Sequence, residues 1–199
     1  KNLQQLLNYP LDSEPTNYSI LQDLLRHAAK RQKMDFYPFV LKAYNKEDSR
    51  ALKMLIAAGA TLNTKRNKPP LFIATEQDNL KNVQLLLSLG ANPDHVYQSR
   101  SLLHEAVSNQ KLALARLLLN AGANANMKNR YDATPLATSI HQKKPAMTML
   151  LLSHGANVNI VDHQLNSPLH IAINEKKPFL LKEFIKRKVP VNKVNRREE

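Results

Sequence analysis

The chain has 199 residues, 43% of them hydrophobic and 6% aromatic, with no cysteine, no tryptophan and a formal net charge of +13. The lack of cysteine excludes disulfides, thiolate metal sites and a cysteine nucleophile. Apolar runs such as "MLLL" (149–152) and "LALA" (112–115) fall far short of the roughly 20 residues that cross a bilayer. A core can be buried, built mostly from Leu, Ala, Ile and Val. Residues 1–99 carry a net +4 and residues 100–199 a net +9. A positive field that grows along the chain suits an acidic partner, a nucleic acid or an anionic surface. It also suits a basic surface with no ligand. The chain starts at Lys1 with no signal-peptide layout, and reads as a segment of a longer intracellular protein.

Residues 1–37 predict two helices. "NLQQLLNY" carries one apolar face. "NYSILQDLLRHAAKRQKM" carries a second, starting near Asn17 or Ser19. They read as a helical cap on the first repeat, with a decayed repeat as the alternative.

From about residue 38 the chain repeats. Gly-Ala recurs at Gly59-Ala60, Gly90-Ala91, Gly122-Ala123 and Gly155-Ala156, at intervals of 31, 32 and 33 residues. A Leu-rich run precedes each glycine and an Asn-rich tail comes after it. Upstream, Leu71, Leu103, Leu136 and Leu169 each lie 19 residues before Gly90, Gly122, Gly155 and Lys188. The constant spacing marks a half of the unit with fixed geometry. The variation in period collects in the other half, a connector.

The constant half predicts two short helices. Thr134 and Ser167 suit N-caps, and Pro135 and Pro168 suit the first helical position. Ala74, Ala106 and Ala172 recur at one offset and permit close packing. Polar turns come next: "EQDN", "SNQK", "HQKK", "NEKK". Pro145 and Pro178 suit the start of the second helix, which ends at a left-handed glycine. The Asn-rich tail predicts a short hairpin or an extended loop.

These landmarks together resemble the ankyrin repeat, over about residues 38–195. The resemblance implies an all-α solenoid of helix-turn-helix units joined by hairpin-like loops, with residues 1–37 as an N-terminal helical cap or degenerate repeat. The units are 38–66 (degenerate), 67–98, 99–130, 131–163 and 164–199, the last including a C-terminal tail. Two departures stand out. Pro69 occupies an N-capping position, and the loop after Gly59 is two residues short, so that finger is expected to be stunted or irregular.

The chemistry of enzymes is hard to place here. "SPLHIAI" (167–173) and "SLLHEAV" (101–107) set serine near histidine. A nucleophilic pair needs the base within about 3 Å of the hydroxyl and a third group to orient it. In the family these residues are structural and tie neighbouring loops together, and no Gly-x-Ser-x-Gly elbow exists. No His-x-x-x-His or His-Glu-x-x-His occurs, and His154, His163 and His170 are too dispersed to argue a zinc site. Four glycines, each at a helix end, build no phosphate loop. No enzyme, metal, cofactor or small-molecule substrate is expected of this segment.

The resemblance implies binding through finger tips and the inner-helix face. At the tips stand Lys65 and Arg66, then Tyr97 and Arg100, then Met127, Lys128, Arg130 and Tyr131, and last Val161, His163 and Leu165. The inner-helix face contributes Glu105 and His141. Tyr97, Met127, Tyr131 and Leu165 are apolar or aromatic where solvent is expected, interleaved with Arg and Lys, and Tyr and Arg are the residues most enriched in binding hot spots. Leu165 stands where the finger's turn usually has glycine. The turn dipeptides grade from Glu47-Asp48 to Lys176-Lys177, acidic to basic.

The expected function is therefore a monomeric interaction module that recruits a protein partner of acidic or mixed surface. The alternative is a basic domain that binds nucleic acid or an anionic membrane surface. Cytoplasm or nucleus is the expected setting. Abundant Asn and Lys fit an AT-rich genome, and the resemblance also admits a bacterial effector acting in a host cell.

Overall fold

The computed structural model describes residues 3–29, 35–161 and 165–187. The chain forms two units, Lys1–Asn92 and Pro93–Glu199. The first holds α1 (Leu3–Asp12), α2 (Tyr18–Ala29), α3 (Tyr37–Asn45), α4 (Ser49–Ala57), α5 (Pro70–Glu76) and α6 (Leu80–Ser88). The second holds β1 (Val96–Tyr97), β2 (Arg100–Ser101), α7 (Leu102–Ser108), α8 (Leu112–Asn120), α9 (Pro135–His141), α10 (Pro145–Ser153), α11 (Pro168–Asn174) and α12 (Pro178–Lys186).

From α5 onward, a seven-residue helix pairs with a nine-residue one. Helices this short are marginal alone, since about 12–15 residues are needed in water. They persist because each buries its apolar side against its partner and the next pair. In the second unit α7 lies on α9 and α9 on α11, while α8 lies on α10. Leu103, Leu118, Leu136 and Leu151 fill the space between, all but closed to solvent. In the first unit Leu52, Leu55, Phe72, Val83 and Leu86 do the same.

The helix starts are set by their residues. Thr134 Oγ1 accepts the Ala137 N–H at 3.2 Å and Ser167 Oγ accepts the His170 N–H at 3.4 Å. Prolines 135 and 168 take the first helical position behind them. Pro69 precedes α5 in extended backbone and offers no side-chain cap, as its chemistry requires. Outer helices α4 and α6 are capped by Asp48 and Asn79. Lys111, Lys144 and Lys177 stand at the same position in the later repeats and give no side-chain cap.

The outer helices end as expected. Gly59, Gly90, Gly122 and Gly155 are left-handed, and the N–H of the next residue, Ala60, Ala91, Ala123 or Ala156, reaches back to Leu55, Leu86, Leu118 or Leu151. This is the Schellman closure, which glycine permits without strain. The inner helices end in the same bond pattern without glycine. The N–H groups of Asp48, Asn79, Lys111, Lys144 and Lys177 donate to the carbonyls of Ala43, Ala74, Ala106, Ser139 and Ala172. The left-handed residue is then Glu47, Asp78, Gln110, Lys143 or Lys176. The polar turns are thus strained, repeated elements.

The Asn-rich tail is a ladder between neighbouring repeats. Asn63 Oδ1 accepts from the Asn92 N–H at 2.8 Å in the first unit. In the second, Asp94 Oδ1 accepts from Asn124 N–H at 2.8 Å and Asn126 Oδ1 from Asn157 N–H at 2.7 Å. Among the described residues a strand hairpin forms once, at 96–101. Val96 pairs with Ser101 and Tyr97 with Arg100, around left-handed Gln98 and Ser99. The loop after Gly59 has no strand. The loop at 127–133 is held instead by Asn129, whose Oδ1 accepts from the N–H of Tyr131 and Ala133 at 2.9 and 3.1 Å.

Helix α1 runs past "NLQQLLNY", through Pro10 to Asp12. Asn17 Oδ1 accepts from Ile20 N–H at 3.2 Å, so α2 starts at Tyr18. Helix α1 lies on α3 and α2 on α4, with Leu7, Leu11, Leu21 and Leu25 buried. The N-terminal pair continues the packing of the later pairs in the first unit.

Candidate partner-binding site

In the second unit, the 96–101 hairpin, the exposed side of α7 and the 127–131 loop enclose an open groove of about 680 Å³. Six of the residues expected at a binding surface meet there: Arg100, Glu105, Met127, Lys128, Arg130 and Tyr131. The backbone explains the convergence. The hairpin turn brings Arg100 over the first turn of α7, where it pairs with Glu105. The Asn129 turn presents Arg130 and Tyr131 side by side, with the guanidinium 4.7 Å from the ring centroid. An exposed contact of that kind contributes about 0.5–1 kcal/mol and orders both side chains before any partner arrives. Tyr131 is 58% exposed. Lys128 lies 3.9 Å from Asp132, both largely exposed, a pair that holds little energy.

Three cations and one acid therefore line the groove. His104 adds no charge. It is buried, and burial pushes its imidazole below the ordinary histidine value, only partly opposed by a bond to Ala133. Its Nε2 lies 3.1 Å from the Ala133 carbonyl. A carbonyl only accepts, so Nε2 carries the proton, and the ring ties α7 to the next finger. Its Nδ1 is buried without a hydrogen-bond partner.

Other expected residues fall elsewhere. Lys65 and Arg66 are exposed on the loop after α4, in the first unit. Tyr97 is half-buried and does not line the groove; Val96, 49% exposed, does. Neighbours along a strand point to opposite faces, so the hairpin register makes this choice. His141 lies at the end of α9, 3.7 Å from Glu175, away from the groove. Leu165 is 44% exposed with φ +63°. Val161 is half-buried, and His163 lies outside the described residues. Gln98, Asn109 and Asn129 also line the groove. Sequence reasoning missed them because polar side chains on loops carry no periodic signal.

The serine–histidine motif is a helix cap. Ser167 Oγ lies 2.8 Å from His170 Nδ1, and the Ser167 N–H donates to that nitrogen at 3.1 Å. Both side chains are buried, out of reach of a substrate. Among the described residues no three His, Cys, Asp or Glu side chains gather as metal ligands, and no helix is long and apolar enough to cross a membrane.

Comparison with known proteins agrees with this architecture. The family model described as ankyrin repeats (3 copies) matches residues 39–129 and 103–195. The chain is 37% identical over 98 residues to the mouse "B-cell lymphoma 3 protein homolog", covering 47% of this chain and 22% of that protein. It is 33% identical over 81 residues to the Caenorhabditis elegans "BRCA1-associated RING domain protein 1", covering 39% and 12%. It is 36% identical over 63 residues to the Arabidopsis thaliana "E3 ubiquitin-protein ligase KEG", covering 31% and 4%. The matches thus span a small part of each relative's length. Ankyrin repeats are interaction modules that generally bind protein partners and are not themselves catalytic. With the repeat register, the helix pairs and the family match in agreement, the chain belongs to the ankyrin repeat family, with the all-α solenoid class of fold.

Proposed function

We propose that this segment recruits a protein through the groove between the 96–101 hairpin and the 127–131 loop, and that the recognised segment is acidic with an apolar or aromatic anchor. One observation carries the reading: Arg100, Lys128 and Arg130 converge on a hollow that also exposes Val96, Met127 and Tyr131, with Glu105 as its one acid. Cations steer an acidic partner in, and the Arg130–Tyr131 pair supplies the desolvated contact that holds it. The short share of each relative that is matched supports a module within a longer protein.

The test is capture of a partner from cell lysate by the wild-type chain and by Arg130→Ala/Tyr131→Ala. The double variant should lose capture while its melting temperature falls by no more than about 4 °C, the loss expected from that one exposed contact. Capture by the variant at wild-type strength would remove the groove from consideration. The net charge of +13 supports the second reading, nucleic-acid binding. That reading requires log K for duplex DNA to fall with log salt by about 0.9 per phosphate neutralised, and a flat titration rejects it.

A further inference from the structure

The outer helices differ in what they show to solvent. Helix α4 exposes Arg50 and Lys53, α6 exposes Lys81, and α8 exposes Arg116. Helix α10, PAMTMLLLS, contains no charged residue. Its exposed stripe is Pro145, Ala146, Met149 and Ser153. Helix α12 sets Phe179 and Ile185 among Lys182 and Lys186 on its exposed side.

These two helices lie side by side. Their N-terminal ends share a small hollow of about 160 Å³ lined by Lys144, Pro145, Lys177 and Phe179 among others. At their C-terminal ends, Arg187 Nη1 donates to the Leu152 carbonyl at 3.3 Å. Each packs on its own inner helix, α10 on α9 and α12 on α11, and those two pack on each other. The exposed stripes of α10 and α12 therefore face away from the inner layer. Met149, Phe179 and Ile185 stand there 41%, 42% and 67% exposed.

The surrounding charge is one-sided. Glu175 is held by Lys143 at 3.4 Å and His141 at 3.7 Å, and Glu183 by Arg187 at 2.8 Å. No acid among the described residues pairs with Lys144, Lys176, Lys177, Lys182 or Lys186. Exposed apolar side chains interleaved with lysines, on helices too short to span a bilayer, have the composition of a surface that lies in a lipid headgroup layer. A nucleic-acid backbone would engage the lysines but gain nothing from Met149 and Ile185.

We propose that the outer face of α10 and α12 docks peripherally on an anionic lipid bilayer. Phe179, Ile185 and Met149 enter the boundary between headgroups and acyl chains. The lysines between and beside them extend to the anionic headgroups. This surface is separate in its residues from the groove, so one chain could hold a membrane and a protein at once.

The experiment is co-sedimentation of the full chain with phosphatidylcholine vesicles, with and without phosphatidylserine. Wild type should pellet with the anionic vesicles only, and each of Lys177→Gln, Lys182→Gln and Lys186→Gln should weaken binding by about fivefold. Phe179→Ser/Ile185→Ser should weaken it by about tenfold or more, because buried apolar area is lost. Ile185→Trp is a second readout that leaves the surface apolar. The wild-type chain has no tryptophan, so its emission should shift to the blue on anionic vesicles. Arg130→Ala/Tyr131→Ala should pellet as wild type does. Absence of pelleting with anionic vesicles would overturn the proposal, as would an unshifted tryptophan or a groove variant that no longer pellets. Wild-type pelleting by Phe179→Ser/Ile185→Ser would overturn it too. Duplex DNA binding with the same lysine dependence would then assign the face to nucleic acid.

Discussion

The Ser167 hydroxyl oxygen lies 2.8 Å from Nδ1 of His170, with both side chains buried. The distance alone would suit a nucleophile and its base. The surroundings decide otherwise, because Ser167 Oγ also accepts the His170 N–H while Nδ1 accepts the Ser167 N–H. The two side chains satisfy both ends of one helix start, as a capping box does. Ser167→Ala should therefore lower stability by about 1 kcal/mol or slightly more, read as a lower urea midpoint at unchanged slope. An unchanged midpoint would mean the cap carries no energy.

His104 makes stability sensitive to mild acid. Its folded-state value lies below the ordinary one, chiefly through burial. The unfolded chain therefore takes up the proton first as pH falls, and stability rises with pH across that window. This contribution is intact above about pH 6.5, the unperturbed histidine value, and declines below it. The melting temperature should fall between neutral and mildly acid pH. His104→Gln should flatten that dependence, while lowering stability at neutral pH because the bond to the Ala133 carbonyl is disturbed.

Asp48 joins the N-terminal helix pair to the first repeat. It accepts the Ala51 N–H at 2.9 Å, and the Tyr18 hydroxyl lies 3.1 Å from both carboxylate oxygens. Burial alone would raise its value, but the hydrogen bonds from Ala51, Thr16, Tyr18 and Arg50 together outweigh burial and hold it below the ordinary value. Its stabilisation is present above about pH 4, the unfolded value, and is lost as pH falls through the folded one. Asp48→Ala should cost about 1–2 kcal/mol at neutral pH, the upper part of the range for a lost N-cap. The difference from wild type should shrink in strong acid. Equal midpoints at neutral pH would contradict the cap.

Leu165 stands left-handed at φ +63°, where a branched side chain is disfavoured. Leu165→Gly should relieve that strain and raise stability by about 1 kcal/mol, measured by urea denaturation. The side chain is exposed, so little burial is lost in exchange. A fall in stability would show that Leu165 packs against a neighbouring finger more than its exposure suggests.

Much of this molecule could be read along the chain because its landmarks are local. Thr134, Ser167 and their prolines start helices through bonds within one turn, and the four glycines end helices through their own backbone freedom. The resemblance to ankyrin repeats rested on those signals and on one fixed spacing. Other features escaped. The inner-helix turns are left-handed at Glu47, Asp78, Gln110, Lys143 and Lys176, with no glycine to announce it. Ser139 replaces the small alanine of the other repeats, and its burial is tolerated because its hydroxyl lies 2.9 Å from Thr148 Oγ1 and donates to the Leu136 carbonyl at 2.8 Å.

The sequence by itself determined the repeat, its helix starts and stops, and the residue types available at each tip. Those depend on dihedral preference and hydrogen bonding within a few residues. Only the tertiary structure decided that Val96 and not Tyr97 faces the groove, that Asn63, Asp94 and Asn126 rung one loop to the next, and that Arg100 meets Glu105 beside Arg130 and Tyr131. Each of these depends on strand register or on contact between successive repeats. Residues about thirty positions apart become neighbours only after the helix pairs have stacked.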